Sequence, residues 1–327
     1  MKVAVVAVVG AAVVLAGCGS GTVGGSSGGS GSAPTNKHLA LVAGVDNEPF
    51  YYTMECGAKA EATKLGYTLD FKAPSAFDAG LQNPIITAEV NDKPAGALIV
   101  PDSDTASAGP MQQLKNAGTK VVEVDTSLKD SSIALSSISS DNTQGGTLAA
   151  DTLGKLVSGK TGSVLALDTK AGTSTTDQRA TGFAAEITAK YPNLKLLTTV
   201  FTNNDPAVAA QKVTATIAST PDLVGIFATN LNTGQGAATG LGNAHKAGQI
   251  QLVGFDASPN EVTDLRSGQF QALIAQEPGT IGKDGVDQVV NAINGKPVTA
   301  TIPTDLVSIT QANMDSNQQF FYTQTKC

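Results

Sequence analysis

Histidine, cysteine and tryptophan are scarce or absent in this 327-residue chain, which has two, three and none of them. His38 and His245 both lie away from the strand ends at which a site is predicted below, and the sequence has no nucleophile-elbow or glycine-rich phosphate pattern. Cys56 and Cys327 have no Cys or His neighbour at metal-ligand spacing. The sequence therefore predicts no enzyme, no metal site and no cofactor, with a glycoside hydrolase built on paired carboxylates as the enzymatic alternative.

An excess of basic residues is also lacking. The net charge is −7 and the sequence pI is about 4.8, so nothing suggests a nucleic-acid partner. A chain of this length is expected to form two domains of ordinary size.

The N-terminal segment has the character of an export signal. Lys2 precedes an apolar run, 3–16, that is short for a membrane span, and the run ends in Leu15-Ala16-Gly17-Cys18. This ending resembles a bacterial lipoprotein signal, which implies removal of residues 1–17 and lipidation of Cys18; the alternative is an uncleaved anchor helix. Residues 18–37 are then a lipidated, Gly/Ser-rich tether, and the protein is expected outside the cytoplasm, lipid-anchored to the cell membrane.

The other two cysteines are candidates for a disulfide. An exported protein lies in a disulfide-permissive compartment, so Cys56 and Cys327 are expected to be bridged, which would fasten the end of the chain. Two free thiols are the alternative.

Strand and helix patterns alternate along the rest of the chain, which predicts an α/β fold with parallel sheets flanked by helices. The series occurs twice, so two similar lobes are expected, joined by a three-segment hinge with crossings near Ser140, Gln276 and Leu306. The N-terminal lobe is predicted to comprise 38–139 and 277–306. The C-terminal lobe is predicted to comprise 140–276, with 307–327 as its final segment and tail.

Polar and aromatic side chains follow many of these strands. The stretch from Leu252 to Pro259 shows the pattern best, because an apolar strand ends abruptly in Phe255 and Asp256. Open α/β sheets bind their ligands at the carboxyl ends of strands. Carboxylates, amides, an Arg and aromatic rings together suit a polyhydroxy ligand.

Several of these segments, in this order, resemble the ribose-type (type I) periplasmic sugar-binding proteins, the substrate-binding components of ABC transporters. The segments are Leu39-Ala40-Leu41-Val42, Asn47-Glu48-Pro49-Phe50-Tyr51, Ala171-Gly172-Thr173-Ser174, Arg179, Gly182-Phe183, Phe227-Ala228-Thr229-Asn230, Val253-Gly254-Phe255-Asp256, Ile274-Ala275-Gln276 and Pro278. The resemblance extends from about 39 to 306.

The resemblance implies ligand-binding roles for individual residues. Phe50 and Tyr51 match the aromatics that enclose the sugar, and Phe255 is expected to be a third pocket aromatic. The matching hydrogen-bonding positions are Asp125, Arg179, Asn230, Asp256 and Gln276, with Glu48 beside them. Without the resemblance, Asp125 and Asp256 could be helix caps and Arg179 a surface charge.

The chain departs from the ribose-type pattern at Glu48, Val100, Thr126 and Asn204. The expected pocket has lost a cation at Thr126 and gained a carboxylate at Glu48, which disfavours ribose and anionic sugars. A neutral monosaccharide or sugar alcohol is therefore the predicted ligand.

The resemblance implies a function based on closure of the two lobes. A ligand that contacts both lobes favours the closed form, and an ABC transporter permease would recognise that form. The protein is expected to act as a monomer. A sugar-sensing receptor subunit for chemotaxis or a sensor kinase is the alternative, whereas a repressor is disfavoured because the chain lacks an N-terminal DNA-binding helix pair.

Overall fold

The computed structural model of the chain describes residues 36–323 and 325–327. The predicted signal peptide, the lipidation site at Cys18 and nearly all of the tether lie outside these residues. Within the described part, no helix is both long and apolar enough to cross a bilayer.

Strands and helices alternate through most of the chain. In chain order, the elements are β1 (His38–Val42), α1 (Pro49–Lys64), β2 (Thr68–Lys72), α2 (Ala79–Asp92), β3 (Gly96–Ile99), α3 (Ala108–Asn116), β4 (Lys120–Val124), β5 (Ser137–Ser140), α4 (Asn142–Leu156), β6 (Gly162–Asp168), α5 (Ser174–Lys190), β7 (Leu194–Leu196), β8 (Val200–Phe201), α6 (Pro206–Ser219), β9 (Leu223–Ala228), α7 (Leu231–Asn243), β10 (Gln251–Phe255), α8 (Pro259–Ser267), β11 (Ala272–Ala275), α9 (Pro278–Ile293), β12 (Thr301–Thr304) and β13 (Val307–Ile309).

The strands form two separate sheets, which confirms the predicted two-lobe α/β fold. The first sheet has the order β12-β5-β4-β3-β1-β2, and its strand pairs are parallel. The second has the order β13-β11-β10-β9-β6-β7, with β8 also paired to β6. Its pairs are parallel except for β13, which runs antiparallel to β11.

Helix starts explain why the two aromatic residues of the first lobe lie where they do. The sequence pattern predicts that α1 begins near Tyr52, but Pro49 occupies the first turn and starts the helix earlier. Proline is well tolerated there because its missing N–H would have no helical partner. Phe50 and Tyr51 therefore stand on the first turn of α1.

The central strands are mostly apolar, as expected where helices cover both faces of a sheet. Leu39, Leu41 and Val42 of β1 and Leu165 and Leu167 of β6 are fully buried or nearly so. Burial on both faces fixes the sheets as rigid supports for the loops at their carboxyl ends.

The chain passes between the two sheets at three points. β5 leads into α4, β11 leads into α9, and β12 leads into β13. The sequence assigns residues 307–327 to the second lobe, but the structure places the end of this segment differently. Cys327 is bonded through its sulfur to Cys56 of α1, and Lys326 pairs with Asp46 at 2.7 Å, so the last residues lie on the first lobe.

Candidate functional site

A cavity lies where the carboxyl ends of the two sheets face each other. Its walls come from both lobes. The lining residues are Glu48, Phe50, Tyr51, Phe77, Asp125, Thr126, Thr169, Thr173, Thr175, Thr176, Arg179, Asn204, Asn230, Asp256 and Gln276. Most of them are buried: Glu48 exposes 8%, Asp125 7% and Arg179 3% of its surface.

The first lobe contributes a carboxylate, a phenol and an aromatic wall. Asp125 follows β4 with a positive φ of 64°, a backbone conformation in which Asp is among the more tolerated residues. The Tyr51 hydroxyl donates to Asp125 Oδ2 at 3.2 Å. The Phe50 ring packs edge-on against Tyr51, with centroids 5.2 Å apart, and so completes an apolar surface beside the polar pair.

Arg179 is the cation of the second lobe, and α5 holds it in a fixed position. Its Nε donates to Asn142 Oδ1 at 2.8 Å, Nη1 to the Thr229 carbonyl at 2.9 Å and Nη2 to Gln276 Oε1 at 3.0 Å. The guanidinium also stacks 3.7 Å from the centre of the Phe255 ring. Because these partners are neutral, the positive charge of Arg179 remains available to the cavity.

Asp256 is the carboxylate of the second lobe and receives three hydrogen bonds. Gln276 Nε2 donates to Oδ1 at 2.7 Å, the Tyr322 hydroxyl donates to the same oxygen at 2.9 Å, and Leu231 N donates to Oδ2 at 3.0 Å. A positive φ of 92° turns this residue away from the strand direction. The carboxylate is thus oriented by groups from three different parts of the chain.

Asn230 links the cavity to the start of α7. Its side-chain oxygen accepts from Thr233 N at 3.1 Å, which makes it the N-cap of that helix. Its Nδ2 donates to Asn204 Oδ1 at 2.7 Å. The sequence pattern places the start of this helix near Gly234, and the Asn230 cap moves it to Leu231.

The structure brings eight of the nine predicted ligand-binding residues to one cavity: Glu48, Phe50, Tyr51, Asp125, Arg179, Asn230, Asp256 and Gln276. Phe255 is the exception. It is fully buried beneath Arg179 and packs near Phe227 rather than lining the cavity. Phe255 ends β10 and shares its core cluster with Val253, two residues earlier on the same face, so the alternation of side chains along this strand was available in the sequence. Asp256 lies just beyond the strand, where a positive φ lets its side chain reach the cavity.

Threonines form a part of the wall that the sequence pattern did not single out as a group. Thr173, Thr175 and Thr176 stand at or near the start of α5, and Thr169 follows β6. Thr169 and Thr176 share a hydroxyl hydrogen bond of 2.7 Å. The signal that could have revealed them is the density of hydroxyl residues between β6 and α5.

The acidic groups of the cavity are affected strongly by burial and by each other. Burial, together with Asp256 and Asp125, raises the pKa of Glu48 to about 8. Burial also raises the pKa of Asp125 to about 7, although Arg179 acts in the opposite direction. Two of the carboxyl groups are therefore poised to hold a proton near neutral pH, which reduces the negative charge of the closed cavity.

Direct polar contacts join the lobes at the edge of the cavity. Lys170 Nζ lies 3.1 Å from Asp78 Oδ2, and the Ser174 hydroxyl accepts from Ser127 N at 2.9 Å. Within the described residues, no group of three or more His, Cys, Asp or Glu side chains is arranged to hold a metal ion. The arrangement is suited to enclosing a small hydroxyl-rich molecule between two oriented sets of hydrogen-bonding groups.

Comparisons with known proteins identify the family of the chain. Residues 39–297 match the family described as periplasmic binding protein domain. The ribose import binding protein of Escherichia coli (strain K12) is 30% identical over 281 residues, which cover 85% of this chain and 92% of that relative.

Two solved structures are similar over nearly their whole length. An ABC transporter solute-binding protein from Agrobacterium vitis, bound with α-D-tagatopyranose, has a TM-score of 0.85 at 35% identity, covering 88% of this chain and 99% of that one. A carbohydrate transporter solute-binding protein from Agrobacterium radiobacter, in complex with D-arabinose, has a TM-score of 0.82 at 26% identity, with 88% and 98% covered.

Proposed function

The chain belongs to the periplasmic binding protein family, among the sugar-binding components of ABC transporters, and on that premise we propose that it captures a neutral monosaccharide or sugar alcohol by closure of its two lobes. The bound form is then delivered to an ABC transporter permease. The observation that carries the proposal is the cavity itself, because each lobe supplies both an oriented carboxyl group and further polar or aromatic wall.

The balance of charges supports a neutral ligand. Glu48, Asp125 and Asp256 face one guanidinium, that of Arg179. An anionic sugar would bury its charge beside three acids and one guanidinium, which already faces the charge of Asp256, at a high electrostatic cost. Hydroxyl groups can both donate to carboxylates and accept from Arg179, and the Phe50 ring offers a surface for the C–H face of a sugar.

The cellular setting belongs to the same proposal. Residues 1–17 act as a lipoprotein signal, Cys18 carries the lipid, and the mature monomer is tethered outside the cytoplasm. The transport role is favoured over a sensing role because the relatives described above are import and transporter proteins.

Calorimetry with a panel of ligands tests the proposal. D-Tagatose, D-arabinose, D-ribose, D-allose and galactitol are the neutral ligands, and D-glucuronate and ribose 5-phosphate are the anionic ones. We expect at least one neutral compound to bind tightly, with D-ribose weaker than the best ligand. Tight binding confined to the anionic compounds would contradict the charge argument, and binding of neither class would overturn the function.

Arg179→Ala shows whether binding occurs in this cavity. Each hydrogen bond to a charged group contributes about 1.5–3 kcal/mol, so losing the guanidinium should weaken binding at least about a hundredfold. Arg266→Ala is the matched control, because Arg266 is the other arginine of the chain and is exposed on α8. Far-ultraviolet circular dichroism should show both variants folded. Unchanged affinity in Arg179→Ala would place the ligand elsewhere.

The same incubations test the glycoside hydrolase alternative. The sugar, and a nitrophenyl glycoside of it, should be recovered unchanged after long contact with the protein, as followed by NMR and absorbance. Release of nitrophenol that depends on Glu48 or Asp125 would assign catalysis to the cavity.

A further inference from the structure

The end of the chain packs against residues of the cavity wall on the side away from the cavity. The C-terminal tail, defined here as residues 310–323 and 325–327, follows β13 of the second sheet. Tyr322 N donates to the Ala257 carbonyl of the second lobe at 3.1 Å. The next residue, Thr323, donates its N–H to Thr53 Oγ1 of α1 at 2.8 Å. Two consecutive residues of the tail are therefore hydrogen-bonded to different lobes.

Tyr322 contacts three residues of the cavity wall without lining the cavity. Its hydroxyl donates to Asp256 Oδ1 at 2.9 Å and accepts from Gln276 N at 3.3 Å. Its ring packs edge-on against Phe50, with centroids 5.8 Å apart. Tyr322 itself is buried, with 5% of its surface exposed. One side chain thus supports a carboxylate and a backbone of the second lobe and an aromatic ring of the first.

The tail is fastened just beyond this tyrosine. Cys327 is bonded to Cys56 on α1. Lys326 Nζ pairs with Asp46 Oδ1 at 2.7 Å and lies 5.3 Å from the centre of the Tyr52 ring. A free chain end would fray, because a terminus has few contacts to offset its conformational entropy. The covalent attachment restricts Tyr322 to the neighbourhood of its partners.

We propose that Tyr322 is a positioning residue of the sugar site, held in place by the disulfide between the tail and α1. The inference rests on the proposed sugar-binding function. Asp256 Oδ1 has two side-chain donors, Gln276 Nε2 and the Tyr322 hydroxyl. Without the tyrosine hydroxyl, Asp256 keeps Gln276 Nε2 on Oδ1 and Leu231 N on Oδ2. The carboxylate is then held less firmly about its χ2 angle, which is a soft torsion, and its alignment with a ligand hydroxyl is weakened. Removing the whole Tyr322 side chain would also take away the ring that packs edge-on against Phe50.

Tyr322→Phe tests the role of the hydroxyl while keeping the ring. Calorimetry with the best sugar of the panel should show a dissociation constant about tenfold higher than that of the wild type, because one hydrogen bond that orients a charged group is lost. The matched control is Tyr191→Phe, since the Tyr191 hydroxyl donates to Asp151 Oδ1 at the same distance, 2.9 Å, on the α4–α5 side of the second lobe.

The comparison of these two variants separates positioning from general stability. Both should lower the melting temperature of the sugar-free protein, Tyr322→Phe by more, because its hydroxyl is buried and has two partners. Tyr322→Phe alone should weaken sugar binding, measured well below either melting temperature. Equal affinities of Tyr322→Phe and the wild type would overturn the proposal. So would equal losses in the two variants, because the effect would then be one of stability.

The double variant Cys56→Ser/Cys327→Ser tests the fastening. It should bind the sugar about threefold to tenfold more weakly than the wild type. Adding Tyr322→Phe to it should reduce the sugar affinity by a smaller factor than the same substitution does in the wild type, because both changes act on the same contact. Unchanged affinity of the double variant would contradict the role given to the disulfide.

The outcomes for the two proposals can be told apart. If the wild type binds a sugar and Arg179→Ala does not, while the tail variants bind normally, only the tail proposal fails. If the wild type binds none, the proposed function fails.

Discussion

Replacing Glu48 by Gln is expected to remove most of the pH dependence of sugar binding. Glu48 precedes α1 at the edge of the first lobe and faces Asp125, Asp256 and Arg179 across the closed cavity. Burial and the two neighbouring carboxylates raise its pKa to about 8. When the lobes open, water reaches the side chain and the pKa falls back toward its ordinary value of 4.5.

The sign of the effect follows from these two values. Between pH 4.5 and about 8, the closed form holds a proton on Glu48 that the open form lacks. Closure therefore takes up a proton, and raising the pH through this window opposes closure and weakens binding. At 1.36 kcal/mol per pKa unit, closing the lobes over an ionised Glu48 costs about 5 kcal/mol.

The change in affinity can be worked out for each group. Linkage predicts that Glu48 alone lowers the affinity about fiftyfold between pH 6 and pH 8. Asp125, with its pKa raised to about 7, adds about another tenfold over the same range. The wild type should thus lose several hundredfold in affinity, and Glu48→Gln only about tenfold.

Calorimetry measures both the affinity and the protons taken up. Titrations at pH 6 in buffers of different ionisation enthalpy should give an uptake of about two protons for the wild type and about one for Glu48→Gln. Glu123→Gln is the control, because burial raises the pKa of Glu123 to about 7 at a position in β4 outside the cavity. Its proton uptake should equal that of the wild type. An affinity that stays constant from pH 6 to pH 8 in the wild type would refute the reasoning.

Further predictions concern packing, the disulfide and the aromatic wall. Gly146→Ala should destabilise the protein by about 1–3 kcal/mol in urea unfolding and weaken sugar binding, because a Cβ there would overlap the backbone of α5, whereas Gly242→Ala meets nothing within 4 Å and should be neutral or stabilising. Loss of the bond between Cys56 and Cys327 should lower the free energy of unfolding by about 2–4 kcal/mol, and a melting temperature insensitive to reduction would contradict this. Phe50→Ala should weaken sugar binding at least about tenfold, and Phe50→Leu should weaken it less, as measured by calorimetry. If both variants bind the sugar as tightly as the wild type, the aromatic ring does not contribute to binding.

The parts of the site that follow directly from strands could be predicted from the sequence. Asp125 and Asp256 come immediately after β4 and β10, and parallel strands bring their carboxyl ends to the same edge of each sheet. Phe255 shows the limit of that approach. Its type suited a sugar pocket, but the alternation of side chains along β10 directs it under Arg179, where it supports the guanidinium instead.

The parts that depend on contacts between distant segments could not be predicted in this way. Tyr322 lies 66 residues from Asp256 in the sequence, in a stretch without strand or helix periodicity, and only the course of the tail over α1 brings them together. The proton affinity of Glu48 was equally hidden. A carboxylate in a motif carries no information on burial, and it is the closed cavity that raises its pKa.

The shortest connection between the lobes restricts how they can separate. Only Asp305 and Leu306 stand between β12 and β13, which belong to different sheets. An extended chain spans at most about 3.5 Å per residue, so Thr304 and Val307 stay within about 11 Å of each other in any state. We therefore expect the lobes to swing about this edge rather than slide apart. Asp78 and Lys170 follow strands near the opposite edges of the sheets, so we expect that side to travel furthest and to give the ligand its entrance.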